Sequence, residues 1–271
     1  MPNATCFLIA YLVVLVFEAL RFAVTSDRMR GWLTRLSLGM FLIAFLTHSL
    51  YLVDLGLNRW SKFPLLKSWG DWGILAAWTI GLALLLMLSR RSDKQIGLFL
   101  LPLILVLVGL SVMFPSESPN IGSGTTISFW RLVHSMAMLI GTMLVTLGFA
   151  SAVMYLVHAW KLKQKRPLSA SFRLPSLEYL QSLGRNCILG SAAAIGFGVV
   201  SGVIMNFTRD GFVAWTDRGI LLTAALFGWL CVAAIAQRIS ADRGRGEWTA
   251  AVNILSFLIV VVAVAAVVTA P

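Results

Sequence analysis

Eight long apolar runs, each able to cross a membrane as a helix, constrain this chain of 271 residues more than any other feature. A hydrocarbon core about 30 Å thick requires roughly 20 apolar residues in a helix. The runs are continuous and rich in Leu and Ala, which favours helices over strands. They cover about 5–24, 33–55, 72–89, 96–114, 130–158, 186–207, 218–239 and 249–270. The sequence therefore predicts an all-α, polytopic integral membrane protein with about eight transmembrane helices.

The composition agrees with that prediction and excludes a soluble domain. Hydrophobic residues make up 59% of the chain and charged residues only 12%, against about 45–50% and about 25% in soluble proteins. The mean hydropathy is +0.86. The net charge of +11 comes from basic residues in the short loops between apolar runs. It therefore indicates a membrane topology with lipid as a partner, and no nucleic-acid partner is expected.

The loop charges also predict an orientation. Sixteen of the 22 Lys and Arg residues fall on one side of the eight runs, and the positive-inside rule makes that side cytoplasmic. Both termini are then predicted to lie outside. The largest inner loop, about 159–183, is basic and is expected to carry a short interfacial helix after Pro175. No loop is long enough to fold by itself, so residues 1–271 are predicted to form a single transmembrane domain.

Histidine is scarce in this chain, with three residues, and one of them is well placed for chemistry. His134 lies near the outer end of the fifth run, and neutral imidazole is a good ligand for haem iron. The alternative is an interfacial histidine bonded to a loop carbonyl. His48, in the second run, is a weaker candidate, for which a bond to Thr47, Ser49 or a neighbouring helix is favoured. His158 lies at the inner end of the fifth run.

A short outer loop before the seventh run gathers residues that could bind a flat anion. Arg209, Trp215, Asp217 and Arg218 fall within ten residues. Each has a simple alternative role: Trp215 as an interfacial anchor, Asp217 as a helix cap, and Arg218 as an ion-pair partner of an aspartate. Together they suit haem, because an aromatic ring can stack on a porphyrin and arginine pairs with propionates.

The sequence thus predicts a haem site at the outer face, with His134 as the candidate ligand of the iron. The remaining candidate cofactor-binding residues are Trp215, Asp217, Arg218, Arg209 and His48. Gly198 and Gly202, one helical turn apart in the sixth run, favour close helix packing, and a groove for a bulky ligand is the second interpretation. No Ser/His/Asp triad, phosphate-binding glycine loop or paired-carboxylate pattern is present, so an enzyme is not favoured.

Four segments resemble the cytochrome c assembly, haem-handling membrane family of CcsA, CcmC and HemX types. Residues 130–139, Trp-Arg-Leu-Val-His-Ser-Met-Ala-Met-Leu, are similar to the outer histidine segment of that family. Residues 174–180, Leu-Pro-Ser-Leu-Glu-Tyr-Leu, are similar to a cytoplasmic segment of HemX-type members. Residues 190–202 resemble the next, glycine-rich span, and residues 215–218 fall where the family has its tryptophan-rich loop. His48 falls where many members carry an early histidine.

Three departures from the family pattern narrow what the resemblance implies. The loop keeps a single Trp and Asp without the following Pro. The inner end of the seventh run, where many members have a histidine, reads Ala-Gln-Arg at residues 236–238, and no histidine follows His158. These departures favour a HemX-like or accessory, haem-handling factor over a complete synthase.

The resemblance implies a role in c-type cytochrome biogenesis at the bacterial cytoplasmic (inner) membrane. It also implies b-type haem, and other cytochrome c assembly or haem-synthesis proteins as partners. The first alternative is a HemX-like regulatory or scaffold protein without bound haem. The second is an unrelated small-solute transporter, which is disfavoured because inverted repeats and interrupted spans are not evident.

Overall fold

Eight α-helices make up the regular structure in a computed structural model of the protein. It describes residues 4–24, 26–60, 69–91, 96–113, 129–164, 174–213, 215–239 and 246–268, none of which forms a β-strand. The helices are α1 (Ala4–Ala23), α2 (Asp27–Trp60), α3 (Trp69–Arg91), α4 (Gly97–Met113), α5 (Phe129–Lys163), α6 (Leu177–Asp210), α7 (Arg218–Ile239) and α8 (Gly246–Val268).

Each of the eight predicted apolar runs coincides with one helix, which confirms the all-helical fold class. Six of the helices, α2, α3 and α5 to α8, are long and apolar enough to cross a membrane. Many of their large apolar side chains face outward, as they would toward lipid. The protein is therefore a polytopic membrane protein. Crossing by α1 and by the 17-residue α4, and the outer position of both termini, stay predictions.

The start of α6 differs from the expected short interfacial helix. Ser176 has an extended backbone, and its side chain accepts a hydrogen bond from the Tyr179 N–H at 3.3 Å. This N-cap begins the helix at Leu177, and no proline interrupts it before Asp210. Residues 177–183 are thus the first turns of α6, and the prediction of a separate helix in that part of the loop was wrong.

The chain divides into two compact units, and α1 to α4 form the first, to which residues 161–164, 174 and 175 also belong. In it α1 packs against α2 and α4, and α3 packs against α4. A buried ion pair lies inside this unit. The Arg21 guanidinium donates to both carboxylate oxygens of Glu18, at 3.0 and 3.2 Å. The Ser37 hydroxyl of α2 donates to Glu18 at 2.6 Å, so this polar cluster ties α1 to α2.

The second unit contains α5 up to Trp160, together with α6, α7 and α8. Its core is aliphatic: Val145, Ile188, Ile195, Leu226, Leu230, Ala233, Ala234, Val252 and Val260. Glycines bring its helices close together: a Cβ added at Gly141 would collide with Ile195, and one at Gly190 would lie 3.0 Å from Leu144. Gly141 of α5 faces Ile195 of α6, and Leu144 of α5 faces Gly190 of α6. The two helices are therefore antiparallel. The single domain expected over 1–271 stays a prediction.

Candidate functional site

His134 is half-buried on α5, where it faces α6. It lies five residues after the start of the helix, or about 8 Å along the axis. Its Nδ1 atom is 2.7 Å from the Gly198 carbonyl oxygen. A carbonyl oxygen can only accept, so Nδ1 carries the proton and donates it. The lone pair of the neutral ring is then on Nε2, which is the tautomer a metal-binding histidine requires.

Two glycines of α6 make room for the side chains on this face of α5. A Cβ at Gly202 would lie 2.9 Å from Nδ1 and 3.0 Å from Cε1 of His134. A Cβ at Gly198 would lie 2.8 Å from the Met138 methyl carbon. The glycine pair therefore serves close packing, as the sequence suggested. The space left by the missing side chains is occupied by the His134 ring at Gly202 and by the Met138 side chain at Gly198.

The acceptor of His134 differs from the one considered in the sequence. The alternative there was a loop carbonyl, whereas Gly198 lies inside α6. The same carbonyl also accepts from the Ser201 hydroxyl at 3.0 Å. Sequence reasoning missed both Gly198 as the hydrogen-bond partner and Met138 as the neighbour. The available signal was that His134 and Met138 are four residues apart, as are Gly198 and Gly202, which places each pair on one helix face.

The loop after α6 is shaped by local backbone requirements. Gly211 adopts the left-handed conformation (φ 75°), and its N–H donates to Phe207 at 3.0 Å, which closes the helix. Asp217 then caps α7, because its Oδ1 atom accepts from the N–H groups of Gly219 at 2.8 Å and Ile220 at 3.3 Å. The structure therefore assigns Asp217 the capping role that the sequence offered as the simpler alternative.

The other candidate residues of the loop lie at the same end of α6 as His134. Trp215 is 65% exposed, and Arg218 is exposed at the first position of α7. Arg209 is in the last turn of α6, but its side chain lies outside the described part of the chain. Gly202, which contacts His134, precedes the end of α6 by about 12 Å along the axis. The predicted approach of Trp215 to His134 stays a prediction.

His48 has a different environment in the first unit. Its ring is fully buried, and Nδ1 is 3.3 Å from the hydroxyl oxygen of Tyr11 on α1. The Phe7 ring stacks on it with centroids 4.3 Å apart. The hydroxyls of Thr47 and Ser49 bond instead to carbonyls of their own helix. The structure thus favours the neighbouring-helix alternative, with His48 as a packing residue between α1 and α2.

The fold and this histidine define a helical membrane protein with a half-buried imidazole, bonded to α6, near one end of α5. Residues 42–269 match the family described as Cytochrome C assembly protein. The chain therefore belongs to the cytochrome c assembly protein family, and its role lies in c-type cytochrome biogenesis. Since proteins of this family handle haem, haem is the group to which the site must be compared.

One related protein is similar over much of the chain. It is described as an uncharacterized 28.8 kDa protein in the nifR3-like 5′ region of Azospirillum brasilense. The two are 22% identical over 207 residues, which cover 74% of this chain and 76% of the relative. No solved structure matches the chain.

Proposed function

We propose that this protein binds haem and presents it at the outer membrane face during c-type cytochrome assembly. The observation that carries the proposal is the hydrogen bond between His134 Nδ1 and the Gly198 carbonyl, at 2.7 Å. This bond fixes the ring orientation and leaves Nε2 as the only ring nitrogen able to bind iron. Haem is here the cargo, and its iron accepts the imidazole as an axial ligand.

The remaining residues have supporting roles in this proposal. The exposed indole of Trp215 provides an apolar face for the porphyrin. Arg218, which is exposed, and Arg209 provide guanidinium groups for the propionates. Asp217 acts indirectly, because its cap sets the start of α7 and hence the position of Arg218. His48 is enclosed by Phe7 and Tyr11, so His134 is the ligand that we propose.

A spectroscopic titration tests the ligand assignment. Purified protein in detergent is titrated with haem, and the Soret band is compared in the wild type, His134→Ala and His158→Ala. His158 is the matched control because it lies near the other end of the same helix. We expect His134→Ala to abolish the change in the Soret band that binding to the protein causes, and His158→Ala to keep that change. Haem retained in full by His134→Ala would exclude His134 as the ligand.

Haem occupancy gives a second expectation. A single protein ligand leaves the other axial position to water or to a residue of a partner. We therefore expect the wild-type haem to be lost readily during extended washing. A tightly held haem with the spectrum of two strong axial ligands would show that a second residue of the protein binds the iron.

The second candidate function is a HemX-like regulatory or scaffold protein without bound haem. It is favoured by the cap at Asp217, since this bond accounts for the residue without any ligand. The same titration separates the two functions. Wild-type protein that is folded but leaves the Soret spectrum of haem in detergent unchanged at every haem concentration would support the scaffold function and contradict haem handling.

The orientation that the proposal requires is testable separately. Reporter fusions at residues 120 and 165 should report opposite sides of the membrane, with residue 165 in the cytoplasm. The same side for both fusions would overturn the topology derived from loop charge. It would leave the His134–Gly198 geometry unchanged, but the outer position of the site would be lost.

A further inference from the structure

The helix α2 is longer than one membrane crossing requires. Its 34 residues extend over about 51 Å, whereas a hydrocarbon core is about 30 Å thick. The apolar part of α2 begins near Ser37, and the ten residues before it include three arginines. This first part of α2 therefore lies at the level of the lipid headgroups or beyond them.

Two faces of this segment have different surroundings. On the inward face, Ser37 bonds to Glu18, and the Arg30 guanidinium donates to the Val24 carbonyl at 3.2 Å. On the outward face, Arg28, Trp32 and Arg35 are all exposed, with Trp32 at 69%. Their spacings of four and three residues place them along one side of the helix. We call this row the Arg28–Trp32–Arg35 stripe.

The chemistry of the stripe matches a phosphate group at a membrane surface. In the part of the chain that the structure describes, neither Arg28 nor Arg35 forms an ion pair. A single guanidinium group can donate two hydrogen bonds to the oxygens of one phosphate. Tryptophan is enriched at the level of the lipid headgroups. Basic residues directly beside a membrane span attract anionic lipids. The Cα atoms of Arg28 and Arg35 are about 10 Å apart along the helix axis, and the Trp32 indole is attached between them.

We propose that the Arg28–Trp32–Arg35 stripe binds the headgroup of an anionic phospholipid. The arginines contact the phosphate, and Trp32 lies against the glycerol and upper acyl region. The bound lipid anchors the α1–α2 end of the first unit at the membrane surface. This proposal is independent of haem, because the stripe belongs to the first unit and His134 to the second.

Lipid binding to the detergent-solubilised full chain tests the proposal. Native mass spectrometry measures successive binding of phosphatidylglycerol and, separately, of phosphatidylcholine. The wild type should prefer phosphatidylglycerol for its first bound lipid. In Arg28→Gln/Arg35→Gln we expect that first affinity to fall by roughly 30-fold, with little change for phosphatidylcholine. Raising the salt concentration should weaken the wild-type preference, because exposed charges are screened.

Two control variants separate a defined site from general positive charge. Arg238→Gln removes an exposed arginine at the end of α7 and should leave the first affinity within about twofold. Arg28→Lys/Arg35→Lys keeps the charge but not the paired geometry and should show an intermediate affinity. Wild-type affinity in the double Gln variant, or an equal loss in Arg238→Gln, would overturn the proposal. Thermal unfolding of each variant is measured alongside, and we expect these exposed substitutions to leave the unfolding temperature unchanged.

Discussion

His48 and His134 show how two histidines in apolar helices can have different roles. His48 is fully buried, is covered by the Phe7 ring and is bonded to Tyr11. His134 is half-buried, and the Gly198 carbonyl fixes its proton on Nδ1. The first environment encloses the whole ring, including a buried Nε2 without a hydrogen-bond partner in the described part of the chain, while the second leaves the ring half-exposed. The comparison shows that the surroundings, and not the residue type, make His134 the candidate ligand.

The two units around these histidines are also stabilised differently. The first unit contains the buried Glu18–Arg21 pair with Ser37. The second unit depends on glycines that admit side chains from the facing helix, such as Gly202 beside His134. Removing a buried charge should therefore affect the first unit. Added volume should affect the second unit at Gly202, and the first unit at Gly73, where a Cβ would collide with Ser111.

The largest effect is expected from Arg21→Leu. It leaves the Glu18 carboxylate buried without its cation, which should reduce the free energy of unfolding by about 3–5 kcal/mol. Thermal and denaturant unfolding in detergent measure the loss. The double variant Glu18→Leu/Arg21→Leu removes both charges and should recover much of it. A double variant as unstable as Arg21→Leu would show that packing, rather than the buried charge, causes the effect.

A smaller effect is expected from Gly202→Ala, because the new methyl group would lie 2.9 Å from His134 Nδ1. Overpacking of this kind costs about 1–3 kcal/mol, and the displaced ring should also bind haem more weakly. Soret titration and unfolding measure the two consequences. Gly228→Ala on α7 is the matched control, since a Cβ there meets nothing within 4 Å. Equal stability and equal haem binding of the two variants would show that Gly202 is not needed to position His134.

The substitution His48→Leu should have a modest effect on stability and none on haem binding. It leaves the buried Tyr11 hydroxyl without its partner, at a cost of about 1 kcal/mol, since the 3.3 Å contact is long. Unfolding measurements and Soret titration on the same preparation separate the two readouts. A lost Soret band in this variant would mean that His48 contributes to the haem site and that the contrast with His134 is wrong.

An effect on stability of similar size is expected from Asp217→Ala, which removes the cap of α7. Loss of an N-cap costs about 1 kcal/mol, and Asp217→Asn should restore most of it because the amide oxygen can also accept. Unfolding measurements test the cap. If Asp217→Asn keeps stability but loses haem, the carboxylate has a role in ligand binding beyond the cap.

Most of the helical architecture was predictable because it depends on patterns within single segments. The eight apolar runs predicted the eight helices, since each run satisfies its own backbone hydrogen bonds. The start of α6 at Leu177 was not predicted as such. The N-cap at Ser176 begins the helix, whereas the basic loop before it suggested a separate interfacial helix.

The candidate site was predictable only in part. His134 was identifiable because it is one of three histidines and lies near the end of a span. The roles of Gly198 and Met138 were not identifiable, since they depend on the register between α5 and α6. Asp217 had two possible roles in the sequence, and the bonds to Gly219 and Ile220 decided for the cap.

The sequence by itself determined that this protein is a helical membrane protein, and it singled out the residues that we predict to bind haem. These properties follow from hydropathy over about 20 residues, and from residue types that are scarce in apolar spans. Only the tertiary structure decided which histidine is fully buried and which is half-exposed with its proton fixed on Nδ1. The physical reason is that atoms of another helix set the surroundings of each ring. Phe7 and Tyr11 of α1 enclose His48, and the Gly198 carbonyl of α6, which can only accept, fixes the tautomer of His134.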